Sequence, residues 1–114
     1  MTLEAGTLNR RVSLQQRQET PTGTGGSTIA WVEIAKVWAN IRMLNGIETV
    51  KADFPVSVAK ASIRIRWRED IDPTWRVVYV SNGKTMTFDV KAVLPDLVGR
   101  EFVDLSVEVG VNDG

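Results

Sequence analysis

The feature that most constrains this chain is a two-residue alternation of apolar and polar side chains along most of its length. It is clearest in IRIRWR, residues 63–68, where Ile63, Ile65 and Trp67 alternate with arginines. Successive side chains of a β-strand point to opposite faces. The run therefore predicts a strand with one apolar face and one row of arginines.

Five further segments alternate in the same way, at residues 9–19, 29–44, 75–80, 85–94 and 100–109. In residues 85–94 the predicted apolar face takes every second position from Met86 to Leu94. Asn82-Gly83 suits a two-residue hairpin turn, which requires positive φ. Six short strands with turns between them predict an antiparallel fold.

Two segments depart from the alternation. Residues 20–28, TPTGTGGST, are rich in glycine and uncharged, and they predict a loop at the tip of a hairpin. Residues 45–54 place Ile47, Val50 and Phe54 on one helical stripe, and Pro55 ends it, which predicts one short helix. We therefore expect a single domain over residues 1–114, with a tail at 110–114. Its fold class is mainly β, a small six-stranded antiparallel β-barrel or β-sandwich with one short helix.

Composition excludes several functions. The chain has no cysteine and no histidine, which removes disulfides, the usual zinc ligands and the common nucleophile–base pairs. The acidic turn EDID, residues 69–72, lacks the ligand number and spacing of a calcium loop. We therefore predict no enzyme, no metal and no cofactor. Fourteen basic and fourteen acidic residues give zero net charge, without the basic excess typical of DNA-binding domains.

The arginine row, formed by Arg64, Arg66 and Arg68, has three possible roles. The arginines could pair with carboxylates of a neighbouring strand, contact another subunit, or bind phosphate. Residues two apart on one face lie about 6.5 Å from each other, so the row needs partners. Asp89 and the Asp104/Glu108 face are the candidates within the chain.

The chain contains four tryptophans, Trp31, Trp38, Trp67 and Trp75. Most fall on apolar faces, which favours packing in the core or in an interface. An alternative function is that of a small OB-like β-barrel that binds single-stranded nucleic acid. It would stack bases on Trp38 and use Arg42 and the arginine row for phosphates.

The order of several short motifs carries a family resemblance. The motifs are AGTLNRRV at 5–12, VWANI at 37–41, NGIE at 45–48, IRIRWREDIDPTWRV at 63–77 and FDVKAV at 88–93. In this order and spacing the chain resembles the head–tail joining proteins of long-tailed bacteriophages, also called head-closure or head–tail adaptor proteins. The resemblance covers nearly the whole chain.

The resemblance implies a structural virion protein. Such proteins form a ring, about twelve copies in the virion, at the head–tail connector. The ring closes the portal channel after DNA packaging, with the portal or connector protein above and a tail protein below. Phage DNA passes through without sequence-specific binding, and assembly takes place in the host cytoplasm with no membrane involved.

Two sets of residues are assigned on this basis. The candidate channel loop comprises Thr22, Gly23, Thr24, Gly25, Gly26 and Ser27. The candidate subunit interface comprises Glu48, Asp53, Arg64, Arg66 and Arg68.

Overall fold

The computed structural model describes residues 5–44 and 59–110. A 3-10 turn at Ala5–Thr7 precedes six strands. The strands are β1 (Arg10–Pro21), β2 (Ser27–Met43), β3 (Lys60–Arg66), β4 (Arg76–Ser81), β5 (Lys84–Pro95) and β6 (Phe102–Val109). The mainly β fold class with six antiparallel strands is confirmed. The helix predicted over residues 45–54, with Glu48 and Asp53, lies outside the described residues.

The strands close into a barrel in the order β1-β2-β3-β6-β5-β4. Every pairing is antiparallel, and β1 completes the circle by pairing with β4 from Val12 to Gln15. Pairing between β3 and β6 brings together segments that lie about forty residues apart in sequence, as in Arg64 opposite Asp104. Closure leaves these strands with no free edge over the paired length.

The core follows the alternation of the sequence. On β3 and β6 the inward residues are fully buried; they are Ala61, Ile63, Ile65, Val103, Leu105 and Val107. Phe88 and Val77 add to this cluster from β5 and β4, and Ile71 and Trp75 close it from the segment between β3 and β4. Burial of an aliphatic or aromatic side chain contributes roughly 1.5–3 kcal/mol, so this cluster is the main source of stability.

One part of the predicted alternation is wrong. The register between β5 and β6 shifts between Val90 and Ala92, so one residue of β5 has no partner across the ladder. Such a bulge reverses the faces that follow it. Val93 consequently packs against the core, and Leu94, predicted on the inner face, is 57% exposed.

A two-stranded arm projects from the barrel. Strand β1 leaves β4 after Gln15, and β2 joins β3 only at Ala39. Between these points, among the described strands, residues 16–21 pair only with residues 27–32. The two segments with their turn are called the arm here. Six residue pairs extend it by about 20 Å. The radius of gyration, 15.9 Å, exceeds the roughly 13 Å expected for a compact chain of this length.

The strands of the arm extend into the segment that was predicted to be a loop. Pro21 pairs with Ser27, so the connection spans residues 22–26 rather than 20–28. The Thr22 amide donates to the Gly26 carbonyl at 2.9 Å, and Gly25 has φ of +89°. Glycine adopts this conformation without steric penalty, which allows the tight tip.

Candidate functional site

The end of the barrel from which the arm projects carries most of the predicted functional residues. This arm end includes the last residues of β3, the segment between β3 and β4, and the turn between β5 and β6. The opposite end carries the Asn82–Gly83 turn. Antiparallel pairing accounts for the arrangement, because β1 runs towards the arm while β4 runs away from it.

Arg64 is neutralised within its own sheet. Its Nε and one terminal nitrogen donate to the two carboxylate oxygens of Asp104, at 2.7 and 2.9 Å. Its guanidinium also lies over the Phe102 ring, 3.7 Å from the centroid. The hydrogen bond to Asp104 raises the pKa of Arg64 above its usual value. The chain itself therefore supplies a partner for this member of the row.

Arg68 also has a partner, but a local one. Its guanidinium donates to both oxygens of Asp70, at 3.0 and 2.8 Å. This contact holds the pKa of Asp70 below its usual range and raises that of Arg68. Asp89, considered as a partner for the row, instead lies opposite Arg76 and Glu108.

Arg66 differs from the other two arginines. It is exposed, and no carboxylate of residues 5–44 and 59–110 lies within ion-pair distance of it. Within the described part of the chain, the row therefore divides into two paired cations and one cation without a carboxylate partner.

Arg66 lines a cleft between two tryptophans, called the tryptophan cleft here. The cleft has a volume of about 270 Å³ and is lined by Val37, Trp38, Arg66, Trp67 and Arg68. Trp38 is 50% exposed, which is unusual because tryptophan side chains are highly buried on average.

Both rings of the tryptophan cleft are held in place. The Arg11 guanidinium lies over Trp38, and that of Arg100 lies over Trp67, each 5.2 Å from the ring centroid. The Trp67 indole nitrogen donates to Glu69 at 3.1 Å. Sequence periodicity placed Trp67 on an apolar face but did not show that it lines the same cleft as Trp38, which lies on β2.

The turn between β5 and β6 was not predicted as a functional element. It presents two aliphatic side chains to solvent, since Leu97 is 75% exposed and Val98 is 98% exposed. Turns favour glycine, proline and small polar residues, so two adjacent aliphatic residues there need an explanation. The sequence shows these two aliphatic residues between turn-forming residues, in PDLVG at 95–99.

The arm supplies the third surface. Residues 20–32 carry no charge, and Ile29 and Val32 are exposed along it. At its root the Arg76 guanidinium lies over the Trp31 ring, 4.4 Å from the centroid, and donates to Gln15 Oε1 at 2.7 Å. The base of the arm therefore contacts β4 through Arg76, and the tip projects from the barrel.

The predicted site residues are thus only partly brought together. Arg64, Arg66 and Arg68 lie near the arm end of the barrel, whereas residues 22–27 form the distant tip of the arm. Within the described residues, no cluster of three acidic side chains could hold a metal ion. No helix in that part of the chain is long and apolar enough to cross a membrane.

Several solved chains share this fold. The solution structure of protein SF1141 from Shigella flexneri 2a superposes with a TM-score of 0.73, at 20% identity, over 96% of this chain and 99% of that one. A chain of the virion of a native gene transfer agent particle gives a TM-score of 0.66, at 19% identity, over 92% and 97%. At these identities the likeness establishes the fold alone. No curated protein matches the sequence significantly.

The sequence itself gives the family. The family model for phage head completion proteins matches residues 3–110, which is nearly the whole chain. The chain therefore belongs to the phage head completion protein family, whose members are structural virion proteins that act at the head among other virion components.

Proposed function

We propose that this protein forms a ring of about twelve copies at the head–tail connector, closes the portal channel after DNA packaging and docks the tail. In this proposal it assembles in the host cytoplasm, contacts the portal or connector protein above and a tail protein below, and has no catalytic role. Family membership supports the general role at the head.

The observation that carries the channel-closing role is the neutral arm. A two-stranded ribbon buries little of its own surface and is marginal alone in water, so this arm is suited to contact other chains. Arms directed to the axis of a ring would bring the tips, residues 22–27, together. Without charge from residue 20 to residue 32, they would neither bind nor repel DNA. Opening would require movement of the arms and little loss of core contact.

Charge pairing supports free passage of DNA. Each phosphate that a protein neutralises adds salt-dependent affinity, which would slow DNA in a channel. Zero net charge and the carboxylate partners of Arg64 and Arg68 reduce this affinity.

The test shortens the tip without disturbing the barrel. Residues 22–26 are replaced by Asn-Gly, which preserves the Pro21–Ser27 pair and gives a two-residue hairpin turn. A matched control inserts Gly-Ser into the Asn82–Gly83 turn at the opposite end. Heads assembled with each variant are assayed for retained DNA before tail attachment. Loss of DNA with the tip variant alone supports channel closure, and retention equal to wild type contradicts it.

One observation favours the second candidate, binding of single-stranded nucleic acid. Trp38 is exposed beneath Arg11, as a stacking platform would be. Titration with an oligothymidylate at low and high salt tests this function. Quenching of tryptophan fluorescence that is lost in Trp38→Phe would support it, and no quenching at low salt would exclude it.

A further inference from the structure

We propose that the turn between β5 and β6 of one subunit inserts Leu97 and Val98 into the tryptophan cleft of the next copy. This inference rests on the proposed ring and specifies one of its contacts. Its occupant is a second copy of this chain. The turn, residues 96–100, is called the knob below.

The knob is rigid before any contact is made. The Arg100 amide donates to the Asp96 carbonyl at 2.8 Å, and the Asp96 carboxylate accepts from the amides of Gly99 and Glu101, at 3.1 and 3.4 Å. A β-carbon at Gly99 would lie 2.8 Å from Asp96 Oδ2, so a larger residue there would displace the carboxylate that caps the turn. Binding by such a turn requires little ordering, which favours affinity.

The exposed side chains of the knob form an apolar patch. Leu97 and Val98 are adjacent in the turn and both are exposed, and Leu94, turned outwards by the bulge in β5, is exposed near the end of the preceding strand. Scattered exposed aliphatic residues need no explanation, but a contiguous exposed patch marks an interaction site. Because most of their apolar surface is in contact with solvent, a partner surface that covered it would be favoured.

The tryptophan cleft matches the knob in size and chemistry. Its volume of about 270 Å³ lies below the roughly 300–1,000 Å³ typical of small-molecule sites, and it suits one or two aliphatic side chains. Trp38 and Trp67 offer apolar walls held by arginines. Tryptophan and arginine are also the residue types most enriched at the centres of protein interfaces.

The charges around the two surfaces are complementary. The Asp96 carboxylate, which accepts from two backbone amides, lies in the knob, whereas Arg66, which has no carboxylate partner in residues 5–44 and 59–110, borders the cleft. The cation of the knob, Arg100, is paired with Glu69 of its own chain at 3.2 Å. Opposite charges at the rim of a contact favour correct pairing and disfavour wrong partners.

The two surfaces are neighbours at the arm end of the barrel, since Arg100 of the knob lies over Trp67 of the cleft. The cleft lies at β2 and β3, and the knob joins β5 to β6, with β3 paired to β6 between them. A contact that joins different patches on identical chains is heterologous, and repeated contacts of this kind generate a closed ring when the rotation closes. The knob and the cleft therefore provide the two sides of one ring contact.

The absence of cysteine from the sequence allows a direct test by disulfide cross-linking. Val98→Cys and Arg66→Cys are made in separate chains, both at exposed positions outside the core. The two variants are mixed, supplied to portal-bearing heads that lack this protein, and oxidised. We expect covalent dimers from the mixture and none from either variant alone. A chain that carries both cysteines should give a ladder of higher multimers.

Three controls make the result specific. Ser81→Cys, at the opposite end of the barrel, replaces Val98→Cys and should give no dimer with Arg66→Cys. In the second control, Val98→Lys competes with wild type for incorporation into rings. The variant should be depleted from the rings more than about tenfold, because it places a cation against Arg66. In the third, Val98→Ile should compete equally. Equal incorporation of Val98→Lys would overturn the contact.

The remaining outcomes separate this contact from the proposed function. If heads retain DNA and electron microscopy shows rings, but the mixture gives no dimer, the knob contact is wrong and the ring stands. If no ring forms on any head, the proposed function fails together with the contact. If oligothymidylate quenches Trp38 and the dimer is absent, the cleft serves nucleic acid and not a second copy.

Discussion

The pair formed by Arg64 and Asp104 gives the sharpest test of why arginines line a strand. We consider a double-mutant cycle of Arg64→Met, Asp104→Asn and the combined variant. Both substitutions keep most of the side-chain volume and remove the charge. The cycle isolates the pairwise energy because the contact of Arg64 with Phe102 is lost equally whether or not Asp104 is charged.

The expected coupling follows from the geometry. Two charge-assisted hydrogen bonds at 2.7 and 2.9 Å would contribute about 1.5–3 kcal/mol each if fully buried. The two side chains are 33% and 24% exposed, so solvent screening reduces this considerably. Exposed pairs contribute about 0–1 kcal/mol. We therefore expect a coupling energy of about 1–2 kcal/mol, above that of an exposed pair.

Urea unfolding monitored by tryptophan fluorescence measures the free energy of unfolding of the wild type and the three variants. The comparison holds provided that this free energy falls with urea concentration at the same slope in all four proteins. A control cycle pairs Arg66→Met with Asp104→Asn and should give a coupling near zero, because Arg66 lies opposite Phe102 in the ladder. A coupling for Arg64 and Asp104 below about 0.3 kcal/mol would refute the reasoning, since exposed pairs reach that value without special geometry.

Three further predictions concern the barrel. Ile65→Ala should lower the free energy of unfolding by about 2–5 kcal/mol in urea, because the side chain is fully buried. By NMR titration Asp70 should show a pKa below its usual range. Because Arg68 stabilises the charged form in the fold, the resulting stability is present above about pH 4 and declines as pH falls through the lowered pKa. Asp70→Asn should abolish this part of the decline, and an unchanged acid profile would contradict the pairing. Gly83→Ala should destabilise the fold by about 1 kcal/mol in the same urea assay, because its φ is +78°; a neutral result would mean that the turn adopts another conformation.

The alternation of apolar and polar residues was sufficient to predict the strands and much of the core. Alternation over residues 63–68 and 100–109 placed Ile63, Ile65 and Leu105 inside, and all are fully buried. The reason is that a strand has a fixed period of two, so a sequence with one apolar parity has one face to bury. The same pattern named Asp104 as a candidate partner for the arginine row before any pairing was known.

Other features depended on the tertiary structure. A bulge adds one residue without any required sequence signature, so the outward turn of Leu94 could not be read from the alternation. The arm arises because β1 and β2 extend beyond the strands that flank them, β4 and β3. The relative lengths of neighbouring strands are a property of the whole sheet.

By itself, the sequence determined that this protein has six alternating strands, a neutral overall charge and no histidine or cysteine chemistry. Only the folded chain decided which arginine would remain without a carboxylate among the described residues. Arg64 and Arg66 have the same side chain and the same parity, yet one lies opposite Asp104 and the other opposite Phe102. The tryptophan cleft arises in the same way from residues of different strands. Local periodicity sets the face to which a residue points, but partners distant in sequence are set by register and barrel closure.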